Sequence, residues 1–335
     1  MPRQRTPSCG SGATIGMVDT GINKDHETFQ GARLDLHNLG PAQLDPSQQL
    51  HGTAVAALLV GDPATRAPGL VPAARLVAVD AFHRVGTDER ADVFSLLRAI
   101  DLLVEREIGV LNLSLAGPDN DALAGVVTDL VTQRDIVVVS AVSNEGPTAP
   151  PAYPAAYDPV IAVTAVDGSK RVYRRAVRGP HVELAAPGVN VWTAASVSGA
   201  RWKTGTSFAA PFVTAAAAIL RENRPNLPAA EVKRVLREKA ADLGAPDHDP
   251  VYGAGLLSIA ELCDAAPRRC GRSRFGEKPR RAACFAPNPA SVVSKLLQSK
   301  AMGRGRVAAG RYCPHNTGKL RRLVNEQGRR HHPGS

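Results

Sequence analysis

Three short stretches of this chain set an aspartate, a histidine and a serine beside glycines: Val18-Asp19-Thr20-Gly21, His51-Gly52-Thr53-Ala54 and Gly205-Thr206-Ser207-Phe208-Ala209. These residue types suit acyl transfer through a serine. A serine hydroxyl is inert until a neighbour takes its proton. Histidine can take it near neutral pH. A buried carboxylate holds the imidazole in one tautomer and stabilises its protonated form. Each residue alone has a plainer reading. Ser207 could be a helix N-cap, Asp19 a turn residue before Gly21, and Asn144-Glu145-Gly146 a turn. His51 could simply pack at a helix start. Only their joint occurrence, in this order, argues for chemistry.

Positioning such groups requires regular elements. Hydrophobic patterning predicts strands over 13–18, 75–82, 110–115, 136–142, 160–166, 181–186 and 189–195. It predicts helices from His51 to Val60, and over 88–107, 121–134, 207–222 and 229–241. Residues 1–12 read as a frayed start. Strands alternating with helices imply a doubly wound, mainly parallel α/β sheet flanked by helices. In such sheets, binding groups gather beyond the carboxyl ends of the strands. Asp19, Ser114 and Asn144 all fall at predicted strand ends. Ser207 falls at a predicted helix start, where main-chain N–H groups are free and the helix dipole favours negative charge.

The chain has 335 residues and a net charge of +10, but that average misleads. Residues 267–335 hold 17 Lys+Arg against 2 Asp+Glu, a balance of +15. The remaining 24 basic and 29 acidic residues leave 1–266 at −5. Arg, Gly, Pro and Ser dominate after Cys263, with one short apolar run over 292–297, so 265–335 reads as a basic, largely disordered tail. Any nucleic-acid binding would belong to that tail through phosphate contacts, but no recognition motif supports it, and a solvated tail is the preferred reading. Five cysteines cannot all pair within one chain, and none forms a C-x-x-C. No apolar run is long enough for a membrane span.

The three stretches, taken with Asn144-Glu145-Gly146, resemble the catalytic signatures of the subtilisin-like serine peptidases, the subtilases of peptidase family S8. The resemblance covers about 13–264. It implies a serine endopeptidase acting on protein or peptide substrates; no cofactor and no metal are expected for this chain. The resemblance implies Asp19 as the orienting aspartate, His51 as the general base and Ser207 as the nucleophile. It implies Asn144 as the amide facing the oxyanion, with Thr206 beside it. Leu113-Ser114-Leu115-Ala116-Gly117 resembles the strand that pairs with substrate backbone, and the resemblance implies that the segment with Ala152 borders the pocket for the residue before the scissile bond.

The sequence also departs from that pattern. Ala54 stands where many relatives have a second histidine. His26-Glu27-Thr28-Phe29 lacks the aspartate that can bind calcium in relatives, so no calcium is expected there. The segment 144–153 is short and holds Pro147, Pro150 and Pro151. The family is mostly exported, yet no apolar signal core follows the basic first residues, which leaves the compartment open. Only about a dozen residues precede the first strand, which suggests a trimmed or incomplete chain. A catalytically inactive relative serving as a binding module is the competing reading.

Overall fold

β-branched and aliphatic runs form the expected parallel sheet in the computed structural model, which describes residues 10–257. The cysteines, residues 258–264 and the basic tail lie outside the described residues. The chain runs through β1 (Thr14–Asp19), β2 (Arg33–Asn38), β3 (Asp45–Pro46), α1 (Leu50–Val60), β4 (Arg75–Asp80), β5 (His83–Val85) and β6 (Asp88–Arg90). It continues through α2 (Val93–Glu105), β7 (Val110–Leu113), α3 (Asp121–Thr132), β8 (Val137–Ala141), β9 (Ile161–Val166) and β10 (Leu184–Pro187). Last come β11 (Val191–Ala194), β12 (Ala200–Lys203), α4 (Ala210–Asn223), α5 (Ala229–Glu238), β13 (Ala240–Ala241) and β14 (Leu256–Leu257).

The main sheet has nine strands in the order β13-β14-β10-β9-β8-β7-β1-β4-β2. Every neighbouring pair is parallel except β13 with β14. Parallel strands are buried on both faces, hence the largely apolar runs of β8 and β9, interrupted by Ser140 and Thr164; all residues of both strands are buried. Helices flank the sheet. α2 contacts β1 and β4, and α3 contacts β8. α4 packs against β7, β8, β9, β10 and α1.

α1 and α4 are apolar nearly all round, the mark of an interior helix. All nine residues from Gly52 to Val60 are buried. In α4, Ala215, Ala216, Ala217 and Ala218 are fully buried. Small side chains let these helices approach the sheet closely, which fixes whatever stands at their N-termini.

Several boundaries differ from expectation. The helix expected from 88 begins at Val93, because Asp88–Arg90 pair back onto His83–Val85 as a hairpin and Asp92 caps the helix through Ser95 N–H. The edge strand β2 was not legible, since Asp35 and His37 interrupt its apolar pattern. The helix expected from 207 begins at Ala210, after a 3₁₀ turn over Thr206–Phe208. The expected fray holds less well near its end, where Glu222 of α4 accepts the N–H groups of Gly10 and Gly12, both at 3.0 Å.

Gly52 shows how tightly α1 meets β1. A Cβ there would lie 2.1 Å from the Thr20 carbonyl oxygen. Glycine to alanine inside a helix ordinarily gains about 1 kcal/mol. Gly52→Ala is instead expected to destabilise the protein by about 1–3 kcal/mol, the usual cost of overpacking. A lower urea midpoint at unchanged slope is the expected reading.

Candidate active site

Asp19 ends β1 and is 3 % exposed. Its Oδ1 accepts the Thr20 N–H at 2.8 Å and the His51 Nδ1–H at 2.7 Å. His51 is the second residue of α1, and its side chain is one third exposed. The adjacent Gly52 N–H donates to Thr20 Oγ1 at 3.0 Å, tying the helix start to the strand end. With Nδ1 committed to Asp19, the remaining ring nitrogen, Nε2, has no partner among the described residues. The ring stacks obliquely on Phe208, centroids 5.4 Å apart.

Phe208 follows Ser207 in the same 3₁₀ turn. The Ser207 hydroxyl donates to the Ser114 carbonyl at 3.3 Å rather than to His51. In return, Ser114 Oγ donates to the Ser207 carbonyl at 2.9 Å. Behind them, Asn112 Nδ2 donates to Ser114 Oγ at 2.9 Å, and Thr214 Oγ1 donates to Asn112 Oδ1 at 2.8 Å. This buried ladder stitches β7 to α4. Sequence reasoning missed Asn112, although an asparagine inside an apolar strand was itself a signal, because a buried amide needs partners.

Asn144 lies just beyond β8. Its Oδ1 accepts both the Thr206 N–H at 3.0 Å and the Thr206 hydroxyl at 3.1 Å. That pins the amide and leaves Nδ2 without an acceptor among the described residues. Gly205 makes the close approach possible: at φ 155° and ψ 159° it occupies a conformation that only glycine adopts readily. The Ser207 N–H also has no acceptor among the described residues. Two donors therefore stand free near one hydroxyl.

The segment after β7 runs past this cluster. Ser114 is nearly buried, and Ala116 is exposed with both main-chain groups free among the described residues. Gly117 differs: its N–H donates to the Tyr153 carbonyl at 2.8 Å, and its carbonyl accepts the Tyr153 N–H at 3.0 Å. Leu115, Ala116 and Gly117 line a cavity of about 350 Å³ with Leu96, Leu123 and Tyr153. Ala152 and Ser114 do not line it. Ala152 sits beside Tyr153, partly buried.

The electrostatics favour a protonatable His51. Burial alone would lower its pKa, but the Asp19 charge and hydrogen bond outweigh it and raise the value above the ordinary 6.5. Glu89 adds to the rise and Lys203 opposes it. Asp19 Oδ2 is buried with no donor among the described residues. Such a group ordinarily costs about 1–3 kcal/mol. Among the described residues no helix is long and apolar enough to cross a membrane.

Comparison with known proteins identifies the family. The sequence model of the subtilase family, peptidase S8, matches residues 10–255. Subtilisin DY of Bacillus licheniformis is 31 % identical over 260 residues, covering 75 % of this chain and 90 % of its own. Subtilisin BL of Lederbergia lenta is 29 % identical, covering 74 % and 90 %. A mutant of the protease domain of PatA superposes with a TM-score of 0.68 at 25 % identity, covering 80 % of this chain and all of its own. The chain belongs to the subtilase family and is a serine-type endopeptidase acting on peptide or protein substrates.

The raised pKa is directly measurable. Titration of His51 by NMR is expected to give a value above 6.5. Asp19→Asn should lower it, because the charge is lost while the burial remains.

Proposed function

We propose that Asp19, His51 and Ser207 form the catalytic triad of this endopeptidase, with Asn144 Nδ2 and the Ser207 N–H as oxyanion donors. The observation that carries the reading is the 2.7 Å bond from His51 Nδ1 to Asp19 Oδ1. It assigns the proton to Nδ1 and leaves Nε2 free to act as a base, in a ring that packs against Phe208 of the Ser207 turn. In the resting conformation the Ser207 hydroxyl is held by the Ser114 carbonyl. An incoming peptide carbonyl competes for that position, and a turn about the Ser207 Cα–Cβ bond frees the hydroxyl for the imidazole.

The reaction then follows. Ser207 Oγ bonds to the peptide carbon while its proton passes to His51 Nε2, and the carbonyl electron pair moves onto oxygen. Asn144 Nδ2 and the Ser207 N–H stabilise that oxyanion. His51 Nε2–H protonates the departing nitrogen as the C–N bond breaks, leaving an acyl-enzyme on Ser207. Water then attacks the acyl carbon as its proton passes to His51 Nε2; the Ser207 Oγ–C bond breaks, Oγ takes that proton back, and the carboxylic acid leaves. Thr206 acts through Asn144, whose amide it orients.

Substrate backbone is read by Ser114, Leu115 and Ala116. Ala116 offers its free N–H and carbonyl to an added strand. Gly117 shapes this edge rather than pairing with substrate, because Tyr153 takes both its main-chain groups. The cavity beside Leu115 receives a substrate side chain, and Ala152 belongs to the segment that, by the family resemblance, walls the pocket for the residue before the scissile bond. The peptidase domain is assigned to 13–264.

A phosphonofluoridate is expected to label Ser207 in the folded protein, and labelling should vanish in Ser207→Ala. Labelling that survives the substitution would overturn the assignment. Asn144→Ala is expected to lower kcat by about 10²–10³-fold, or about 2.7–4 kcal/mol, at little changed KM. That magnitude is carried over from the same loss in subtilisin. The acid limb of kcat/KM should fall with pH through the raised pKa of His51, because protonation removes the base.

A further inference from the structure

Between the Asp19 turn and the His51 helix runs a set of short polar contacts that acyl transfer does not use. The Gly21 N–H donates to Ser47 Oγ at 2.9 Å. The Ser47 hydroxyl donates onward to Asp80 Oδ2 at 2.7 Å. Asp80 is fixed in turn: its Oδ1 accepts the Phe82 N–H at 3.0 Å, and its Oδ2 receives Asn38 Nδ2 at 3.4 Å. One residue on, the Gln48 N–H donates to Glu89 Oε1 at 2.8 Å. Residues 47–48 lead directly into α1, whose N-cap Gln49 makes no side-chain capping bond. The helix that carries His51 therefore takes its entry from contacts outside itself.

The placement of Asp80 is specific. It closes β4 directly opposite Asp19 in the parallel β1·β4 register. It is 8 % exposed. Burial, with a smaller contribution from the Asp19 charge, raises its pKa, against the lowering by its Phe82 and Ser47 hydrogen bonds. Two carboxylates thus end adjacent strands, a costly arrangement unless donors are supplied. Ser47 supplies one, and with the same oxygen it accepts from the Asp19 turn.

We propose that Ser47 and Asp80 form a positioning clamp that holds the Asp19 turn against the start of α1 and so sets the Asp19–His51 hydrogen bond. The proposal rests on the triad roles given above for its kinetic consequence, but not for its structural one. Neither residue reaches the reacting atoms. They act through Gly21, two residues beyond Asp19, and through the chain entering α1, four residues before His51. Displacements of about 1 Å made far from the reacting atoms can cost about 10²-fold in rate. The charged groups that bear on His51 are Asp19, Glu89 and Lys203, and none of them changes when Ser47 is replaced.

Ser47 is partly exposed, so Ser47→Ala should fold. It removes the relay and, by taking a hydrogen bond from Asp80, raises that carboxyl's pKa further, while Asp19, Glu89 and Lys203 stay in place; Ser47→Thr returns a hydroxyl. The full-length chain serves for two measurements. The first is the NMR titration of His51 in a Ser207→Ala background, which needs no activity. Ser47→Ala is expected to lower the His51 pKa, and Ser47→Thr to restore it. The second is kcat per site titrated with the phosphonofluoridate. It is expected to fall roughly tenfold in Ser47→Ala at a KM within about twofold of the parent, and to recover in Ser47→Thr. An unchanged His51 titration in Ser47→Ala overturns the clamp, even if the melting temperature drops. A parent protein that takes no label would sink the triad reading instead, while the titration still decides the clamp.

Discussion

The hydrogen bond between Asp19 and His51 is the contact on which the rest of the site depends. It joins the last residue of a strand to the second residue of a helix 32 positions later. Neither element alone can hold it. The strand end is fixed by neighbours on both sides, β4 and β7. The helix start is fixed by the Gly52 N–H on Thr20 and by the absence of a side chain at Gly52. A charge-assisted bond of this kind contributes about 1.5–3 kcal/mol. Its larger effect is orientation, since it decides which nitrogen of the imidazole is a donor and which a base.

The second requirement is that Ser207 and Asn144 be held to the same standard, and buried polar groups do this work. Asn112, Ser114 and Thr214 form a ladder between β7 and α4, all of it inside an apolar core. Each partner is satisfied, so the network stiffens the site without the penalty of an unpaired amide. Asn144 is pinned through one oxygen by two donors from Thr206, which leaves its amide protons for a ligand. The alanine-rich face of α4 lets the helix lie against the sheet closely enough for these short side chains to meet.

Electrostatically the site is a balance of opposed effects. Burial disfavours the imidazolium, and Asp19 more than compensates. The carboxylate itself is under-satisfied, with Oδ2 bare and Asp80 alongside in register. This concentration of negative charge at adjacent strand ends suits a histidine that must become positive during each turnover. Lys203 works in the opposite direction, so the resting value is a compromise between near groups rather than a property of the pair alone.

The apolar runs over β1, β4, β7, β8 and β9 and the small-residue patterns of α1 and α4 were legible in the sequence, because period and composition carry that information locally. So were the chemical identities of Asp19, His51, Ser207 and Asn144, set in glycine-flanked motifs at strand and helix ends. The β5–β6 hairpin was misread because Asp88–Arg90 lead straight into a helical pattern, and β2 went unassigned because an edge strand tolerates polar residues. Local sequence thus determined which groups are present and which elements carry them. Tertiary structure alone decided that the Ser207 hydroxyl rests on Ser114, that Tyr153 occupies Gly117, and that Ser47 and Asp80 meet beside Gly21. Those contacts join residues tens of positions apart, and their energies depend on distances and burial that no local pattern encodes.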